Sequence, residues 1–233
     1  MKTAVIIPFR CRGTDPLRFQ NLTCVADQWA EYGHTVQVVS DGRRGADQFN
    51  RSAAYNRGAA DTDADILIFA ESDLLISDGQ IDRAVAMAAA TSGLVIPFSW
   101  FMALSEEDSR AVRSLGADPA GCQATPVKGH RSSIGAINIM SRETYELVGG
   151  YDEVCTGAWY DDDIMKIAFD TLAGPTRWVE GSAFHLYHLS GGRGSHLSAE
   201  DRAATARNRR RLRLYQQAKT PARIRELIRG AKQ

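Results

Sequence analysis

The stretch DILIFAESD, residues 65 to 73, decides how this chain is read. Its apolar core, ILIFA, is an unbroken run with β-branched and aromatic members, which suits a strand buried on both faces. Such strands belong to parallel sheets covered by helices. Glu71, Ser72 and Asp73 follow where strand gives way to loop. In an open α/β sheet ligands gather beyond the carboxyl ends of the strands, so this is where a carboxylate would meet one. A hard divalent cation bridging a diphosphate takes oxygen ligands, and Asp73 would supply one. An Asx turn would leave the same letters, and at this point both readings stand.

Toward the N-terminus, TAVIIPF is a second short apolar run, ended as a strand by Pro8. Asp15 and Pro16 open a helix whose apolar positions are Leu17, Phe19, Leu22, Val25, Ala26 and Trp29, with a stop at Gly33. TVQVVS is the next strand, and a helix near residues 47 to 60 leads back to DILIFA. Strand, helix, strand, helix, strand is the rhythm of an α/β fold with a mostly parallel sheet flanked by helices. The carboxyl-end rule then singles out Arg10, Asp41 and residues 71 to 73.

Toward the C-terminus, a helix over 78 to 91 precedes LVIPFSW, read as a fourth strand. Residues 105 to 133, rich in Gly, Ser, Ala and charge, read as an excursion over the site. AINIMS is a strand, SRETYELVGG a short helix stopped by two glycines, and DDDIMKIAFDTLAG a longer helix. SAFHLYHLS reads as a strand, GGRGSHLSAED as a mobile loop, and the remainder as a basic helical tail. There is no internal repeat.

The chain has 233 residues, 44% of them hydrophobic, enough for a sizeable core. Its zero formal charge is unevenly placed. Residues 198 to 233 hold eleven Lys/Arg against three Asp/Glu, leaving seventeen against twenty-five elsewhere. An acidic body suits metal use, while a basic tail can cover that body, neutralise phosphate or touch nucleic acid. The tail lacks an aromatic platform or a DNA-binding motif, which speaks against nucleic acid as a partner. No stretch approaches the roughly 20 apolar residues that span a bilayer, and the first residues lack a signal-peptide cleavage pattern. Cys11, Cys24, Cys122 and Cys155 have no CxxC spacing, so the expectation is free thiols in a cytoplasmic protein.

Four short segments carry candidate chemistry. WYDDDI, residues 159 to 164, stacks Asp161, Asp162 and Asp163 at a helix start, as a dipole-stabilised cap or as a reactive cluster. His185 and His188 form HxxH; in an ideal strand this spacing faces opposite ways, so shared metal binding needs a turn between them. Taken singly, either histidine fits a core position; with a distant carboxylate the pair suits Mn²⁺. PFRCR (8 to 12) and FNRSAAYNRG (49 to 58) place arginines for phosphate, or for surface salt bridges. Neither GxGxxG nor GxxxxGK[ST] is present.

In order, PFRCR, FNRSAAYNRG, LIFAESDLLISD, GAINIMSRETYELVGGYDE, WYDDDI and HLYH resemble β-1,4-galactosyltransferases and the wider family-2 type of GT-A glycosyltransferase, over residues 4 to about 190. The resemblance implies a GT-A-like domain at 1 to 197 with a basic helical extension at 198 to 233. It implies that Pro8, Phe9, Arg10, Arg12, Asp41, Phe49 and Arg51 surround a uridine nucleotide. Glu71, Ser72 and Asp73 would stand in for the family's DxD. Asp73, His185 and His188 would bind the metal, with histidine replacing a methionine, so that Mg²⁺ is admitted beside the preferred Mn²⁺. Asp161 would be the general base, Asp162 its alternative and Asp163 a structural cap. Gly135, Trp159 and Tyr160 would lie toward sugar and acceptor, and Arg193 or His196 would reach the diphosphate. Tyr160 stands where the family has glutamate, and WGWGG is reduced to TGAW, so the selection of sugar and acceptor is not carried over.

The resulting expectation is a metal-dependent inverting glycosyltransferase that moves a sugar from a nucleotide sugar, foremost a UDP-sugar, to a saccharide, lipid-linked glycan or protein hydroxyl. Three alternatives accompany it. They are a retaining transferase of the polypeptide N-acetylgalactosaminyltransferase type, a sugar-phosphate nucleotidyltransferase, and a nucleic-acid or protein-binding module built on the tail.

Overall fold

A computed structural model describes residues 1 to 13 and 15 to 230. The apolar runs form the centre of a six-stranded sheet. Strand β1 (Thr3–Pro8) is followed by helix α1 (Leu17–Glu31), β2 (Val36–Val39), α2 (Arg51–Ala60) and β3 (Ile66–Ala70). β1 pairs parallel to both β2 and β3, with Val5 opposite Val36 and Ile68. Every residue of β3 is buried, as its unbroken apolar pattern demands. α1 buries Leu22, Val25 and Trp29 on one stripe. α2 lies close on β1 because Gly58 has no side chain; a Cβ there would meet Ile6 Cγ2 at 2.4 Å.

The chain continues through β4 (Leu74–Ile76), α3 (Asp78–Ala90), β5 (Val95–Ile96), β6 (Trp100–Leu104), α4 (Glu106–Leu115), a 3₁₀ turn (Pro119–Gly121) and β7 (Ala124–Pro126). Then come β8 (Ile137–Ser141), α5 (Arg142–Val148), α6 (Asp161–Leu172), β9 (Arg177–Trp178), β10 (Ser182–His185), α7 (Ala199–Gln217) and α8 (Pro221–Gly230). The main sheet has the order β2-β1-β3-β8-β5-β9, with a second sheet β4-β10-β6-β7.

The main sheet is mostly parallel, as expected, with β8 alone running antiparallel to its neighbours β3 and β5. Other expectations are corrected. LVIPFSW is two strands in two sheets: Val95–Ile96 stays in the main one and Trp100–Leu104 joins the smaller. Pro97 separates them, having no N–H with which to continue a ladder. Residues 105 to 133 hold α4, capped by Ser105 and bonded through Arg113 to Asn21 of α1, together with β7. The excursion expected there thus has secondary structure of its own. SAFHLYHLS is a strand only as far as His185, and GGRGSHLSAED ends inside α7, whose capping box joins Ser198 and Asp201.

The basic tail lies on the body. α7 buries Ala204, Asn208, Leu212 and Tyr215, and α8 buries Ile224, Leu227 and Ile228. Arg211 Nε and Tyr215 Oη both donate to Asp152 Oδ2, at 2.8 and 2.7 Å. No helix among the described residues is long and apolar enough to cross a membrane. All four cysteines are free.

Candidate active site

The site is assembled at the carboxyl end of β3. β10 pairs antiparallel with β4, placing His185 opposite Leu74 and therefore beside Asp73. After His185 the chain leaves the sheet and is braced from three sides. Leu186 N donates to Asp73 O at 2.8 Å, Tyr187 N to Ser109 Oγ at 2.8 Å, and Leu189 N to Asp15 Oδ2 at 2.7 Å. This turn resolves the spacing problem of HxxH. The two imidazole rings come to 4.9 Å between centroids. His188 Nε2 stands 2.9 Å from Asp73 Oδ2, and His185 Nε2 stands 3.8 Å from Asp73 Oδ1.

This triad fits a cation. His188 Nδ1 lies 2.8 Å from Leu189 O, a carbonyl that can only accept, so Nδ1 carries the hydrogen. The Nε2 lone pair then faces a carboxylate oxygen, an arrangement that needs a proton or a metal ion between the two. Asp73 Oδ1 is buried with no hydrogen-bond partner. Ligand atoms at right angles, about 2.1 Å from an ion, stand about 3 Å apart; the His188–Asp73 pair has that spacing, and the three donors together lie within 4.8 Å of one another. Burial would raise the Asp73 carboxyl, but the neighbouring imidazoles hold it well below its usual range. Burial also lowers His185, favouring the neutral form that a ligand requires.

Two residues earlier, Glu71 belongs to a second cluster. Arg51, in the first turn of α2, donates from Nε and Nη2 to Asp161 Oδ2 at 2.8 and 2.6 Å, and from Nη2 to Asp162 Oδ1 at 2.8 Å. Its Nη1 pairs with Glu71. Burial opposes the charge on Arg51, yet Asp161 and Asp162 keep it held well above its ordinary value. Burial pushes Asp162 up to about 6, opposed by Arg51 and reinforced by Asp161. Asp161 Oδ1 has no partner. The carboxylate is thus anchored at one oxygen, while the other is buried and unpaired among the described residues.

The triplet occupies the first turn of α6, so a dipole-favoured helix start and a reactive cluster are the same residues. The expected cap at Asp163 is corrected: the N-cap is Tyr160, with no side-chain capping bond. Trp159 and Tyr160 both adopt left-handed backbone, φ 71° and 73°, and Ala136 does so at φ 84°. Such conformations cost non-glycine residues roughly 1–3 kcal/mol each and gather at functional sites. Ala136 O accepts from Glu71 N at 2.7 Å, joining the strained segment to the acidic cluster. Gly135 abuts Asp162, where a Cβ would lie 2.4 Å from Oδ2.

A third group faces β1 and β2. Pro8 ends β1, and Phe9 N donates to Val39 O at 2.9 Å. Arg10 stacks over Phe49 at 5.8 Å and donates to Asp41 Oδ1, Gly45 O and Asp47 O at 2.9, 2.7 and 2.7 Å. Asp41, its side chain fully enclosed, also accepts from Asn50 N at 2.9 Å and Arg43 N at 3.2 Å. Arg10 and Asp41 therefore shape the 41 to 50 loop that delivers Arg51. Arg12 donates to Ala46 O at 3.1 Å and reaches Asp201 of α7 at 3.4 Å. Ser72 is buried between the two acidic residues.

Arg193 lies over the Trp159 ring at 4.8 Å, and His196 Nε2 stands 2.8 Å from Ser190 O. Arg193 holds the 189 to 197 segment against Trp159, and His196 closes that segment on itself. Ser109, Gln48 and Asn208, which the sequence did not single out, brace these loops, as does Asp15, expected only to open α1. Asn208 alone left a signal, a polar residue on the buried stripe of α7.

No protein-family model matches the sequence, and no curated protein matches it. Solved structures do match in fold. GalNAc-T7, solved with UDP, GalNAc and Mn²⁺, aligns with a TM-score of 0.59 at 12% identity, over 99% of this chain and 55% of that one. The catalytic domain of Drosophila β1,4-galactosyltransferase 7 in complex with xylobiose gives 0.54 at 16% identity, over 88% of this chain and 79% of that one. TarS of S. aureus gives 0.50 at 13% identity, over 79% and 60%. The chain spans 64% of the length of the Drosophila enzyme in its mutant complex with manganese, UDP-Gal and xylobiose. The fold is therefore that of the GT-A glycosyltransferases.

Proposed function

We propose that this protein is a metal-dependent glycosyltransferase that moves a sugar from a nucleotide sugar, foremost a UDP-sugar, to an acceptor hydroxyl with inversion at the anomeric carbon. The observation that carries the reading is the Asp73, His185 and His188 triad set beside an Arg51-anchored carboxylate pair at the end of β3. One cluster suits the leaving diphosphate and the other the incoming hydroxyl. The folds it resembles were solved with Mn²⁺ and UDP or UDP-Gal, which supports this donor chemistry.

Asp73, His185 and His188 would hold the cation, Mn²⁺ or Mg²⁺. A divalent ion there supplies positive charge to a departing diphosphate. Asp161 is the general base: Arg51 fixes Oδ2, and Oδ1, buried without a hydrogen-bond partner among the described residues, is the oxygen left to take a proton once the acceptor hydroxyl reaches it. As the acceptor oxygen bonds to the anomeric carbon, the bond from that carbon to phosphate oxygen breaks and its electron pair leaves with the nucleoside diphosphate. The hydroxyl proton passes to Asp161. Asp162, with 32% of its side chain accessible beside side-chain-free Gly135, orients the acceptor hydroxyl. Trp159, 38% exposed, offers a ring face to a sugar.

A retaining transferase is the second reading, favoured by the TM-score of 0.59 to GalNAc-T7. Product stereochemistry separates the two. Thermal shift with a panel of nucleotide sugars, in Mn²⁺, Mg²⁺ or EDTA, tests the shared premise. A ligand at 100 times its Kd adds about 2.7 kcal/mol to stability. At roughly 2–4 °C per kcal/mol for a chain this size, that is a rise of about 5–11 °C. The rise should need metal and vanish in His188→Ala. A folded protein that shifts with no nucleotide under any of these conditions refutes the reading.

A further inference from the structure

Helix α7 sits where a basic tail would be dismissed as an appendage, yet its buried polar residue reaches the strained turn before the acids. We propose that α7 is a working part of the acceptor side of the site, with Asn208 as the positioning residue that fixes the Trp159–Tyr160 turn and, through it, Asp161. This rests on the glycosyltransferase reading for its catalytic consequence, though not for its structural one.

Asn208 is 2% exposed on a stripe shared with Ala204, Leu212 and Tyr215. Both its amide oxygen and its amide nitrogen are committed to a single loop. Oδ1 accepts from Thr156 N at 3.2 Å. Nδ2 donates toward Thr156 O, Ala158 O and Trp159 O at 2.9, 3.3 and 3.1 Å. Thr205 Oγ1, one turn earlier on α7, lies 3.5 Å from Ala158 O. Only a primary amide can accept from the N–H and donate to the carbonyls at this reach; aspartate loses the donor, and glutamine is one methylene too long. Asparagine is a poor helix former, costing up to about 0.7 kcal/mol against alanine, so its place in the middle of α7 is explained by the loop and not by the helix.

The loop needs such a grip. Two successive non-glycine residues at positive φ persist only where their surroundings over-determine them. α6 starts directly after them without a side-chain cap, and Ile164 N donates to Tyr160 O at 3.0 Å. The conformation of Tyr160 therefore aims the first turn, where Asp161 and Asp162 meet Arg51. α7 reaches the site at two further points. Asp201 accepts from Nε2 of Gln48, on the loop that leads to Arg51, at 2.8 Å, and from Arg12, just past β1, at 3.4 Å. Gly157, at φ 76°, packs between Gln48 and Ala204, where a Cβ would meet Gln48 Oε1 at 2.8 Å and Ala204 Cβ at 3.3 Å.

The experiment uses the full chain in four forms: wild type, Asn208→Ala, Tyr160→Gly and the double variant. Glycine adopts positive φ without strain. If Asn208 works by holding the left-handed turn, Tyr160→Gly should at least halve the fall in melting temperature that Asn208→Ala causes. Strictly additive melting-temperature changes overturn the proposal. Should Asn208→Ala alone not fold, the double variant should, and its failure to fold also overturns it. In the catalytic arm, Asn208→Ala should keep metal-dependent donor affinity within about twofold while kcat falls at least about thirtyfold. A folded Asn208→Ala with kcat within threefold of wild type overturns the positioning role. If wild type binds no nucleotide sugar, the functional reading fails, and the melting-temperature comparison still decides whether Asn208 holds the turn.

Discussion

Replacing Arg51 with methionine removes the guanidinium on which Glu71, Asp161 and Asp162 converge. Methionine matches the aliphatic part of the side chain, so packing is largely kept while the charge is lost. Taking one partner from a buried ion pair costs about 3–5 kcal/mol, because the remaining charge stays desolvated. Arg51 is 17% exposed and Asp161 12%, which places this cluster in that class. At roughly 2–4 °C per kcal/mol, the fall in melting temperature is about 6–20 °C at pH 8. The deficit should depend on pH in a fixed direction. Asp162 is already pushed up to about 6 in the presence of Arg51. Without the arginine, which opposes that rise, the folded-state Asp162 carboxyl goes further above its unfolded value. Such groups contribute stability at low pH that is lost as pH rises through the folded-state pKa. The variant should therefore be closer to wild type at pH 5 than at pH 8. Arg51→Lys should recover only part of the loss, since one ammonium cannot span three carboxylates. Calorimetric melting of the three proteins at both pH values is the assay. A deficit below about 1 kcal/mol at pH 8, or an equal deficit at both, would falsify the account of Arg51 as the anchor of the acids.

Two other outcomes follow from the same cleft. If Asp162 must be ionised to receive the acceptor hydroxyl, kcat/KM should fall about tenfold per pH unit below about 6, and Asp162→Asn should flatten that limb. A limb that survives unchanged in Asp162→Asn assigns it to another group. In Gly135→Ala the new Cβ would stand 2.4 Å from Asp162 Oδ2, so Asp162 must move. Transfer should drop at least tenfold while metal-dependent donor binding stays near wild type; unchanged transfer would show that the slot beside Gly135 takes no part.

Much of the site was legible because its residues stand at the ends of strongly patterned elements. Asp73 follows an apolar strand, Arg51 opens a helix behind the Asn50 cap, and Asp161 to Asp163 start another. The grouping was less legible. Arg10 and Asp41, expected near a nucleotide, also bind one another and the 41 to 50 loop. That outcome depends on which backbone carbonyls the loop turns inward, and no residue type encodes it. LVIPFSW read as one strand because hydrophobicity continues through Pro97, whereas pairing is decided by which sheet edge each half meets.

The sequence by itself determined the opening order from β1 through α1, β2 and α2 to β3, the burial of β3 and the presence of carboxylates, imidazoles and arginines at element ends, since these follow from periodicity and local chemistry. The tertiary structure decided what long-range approach alone can decide. It turned the chain after His185 so that two histidines meet one aspartate, and brought Arg51 onto acids 110 and 111 residues away. It also laid a basic helix against the turn at Trp159 through Asn208, 49 residues distant. Side-chain reach is a few ångströms, and only the folded chain fixes which groups fall within it.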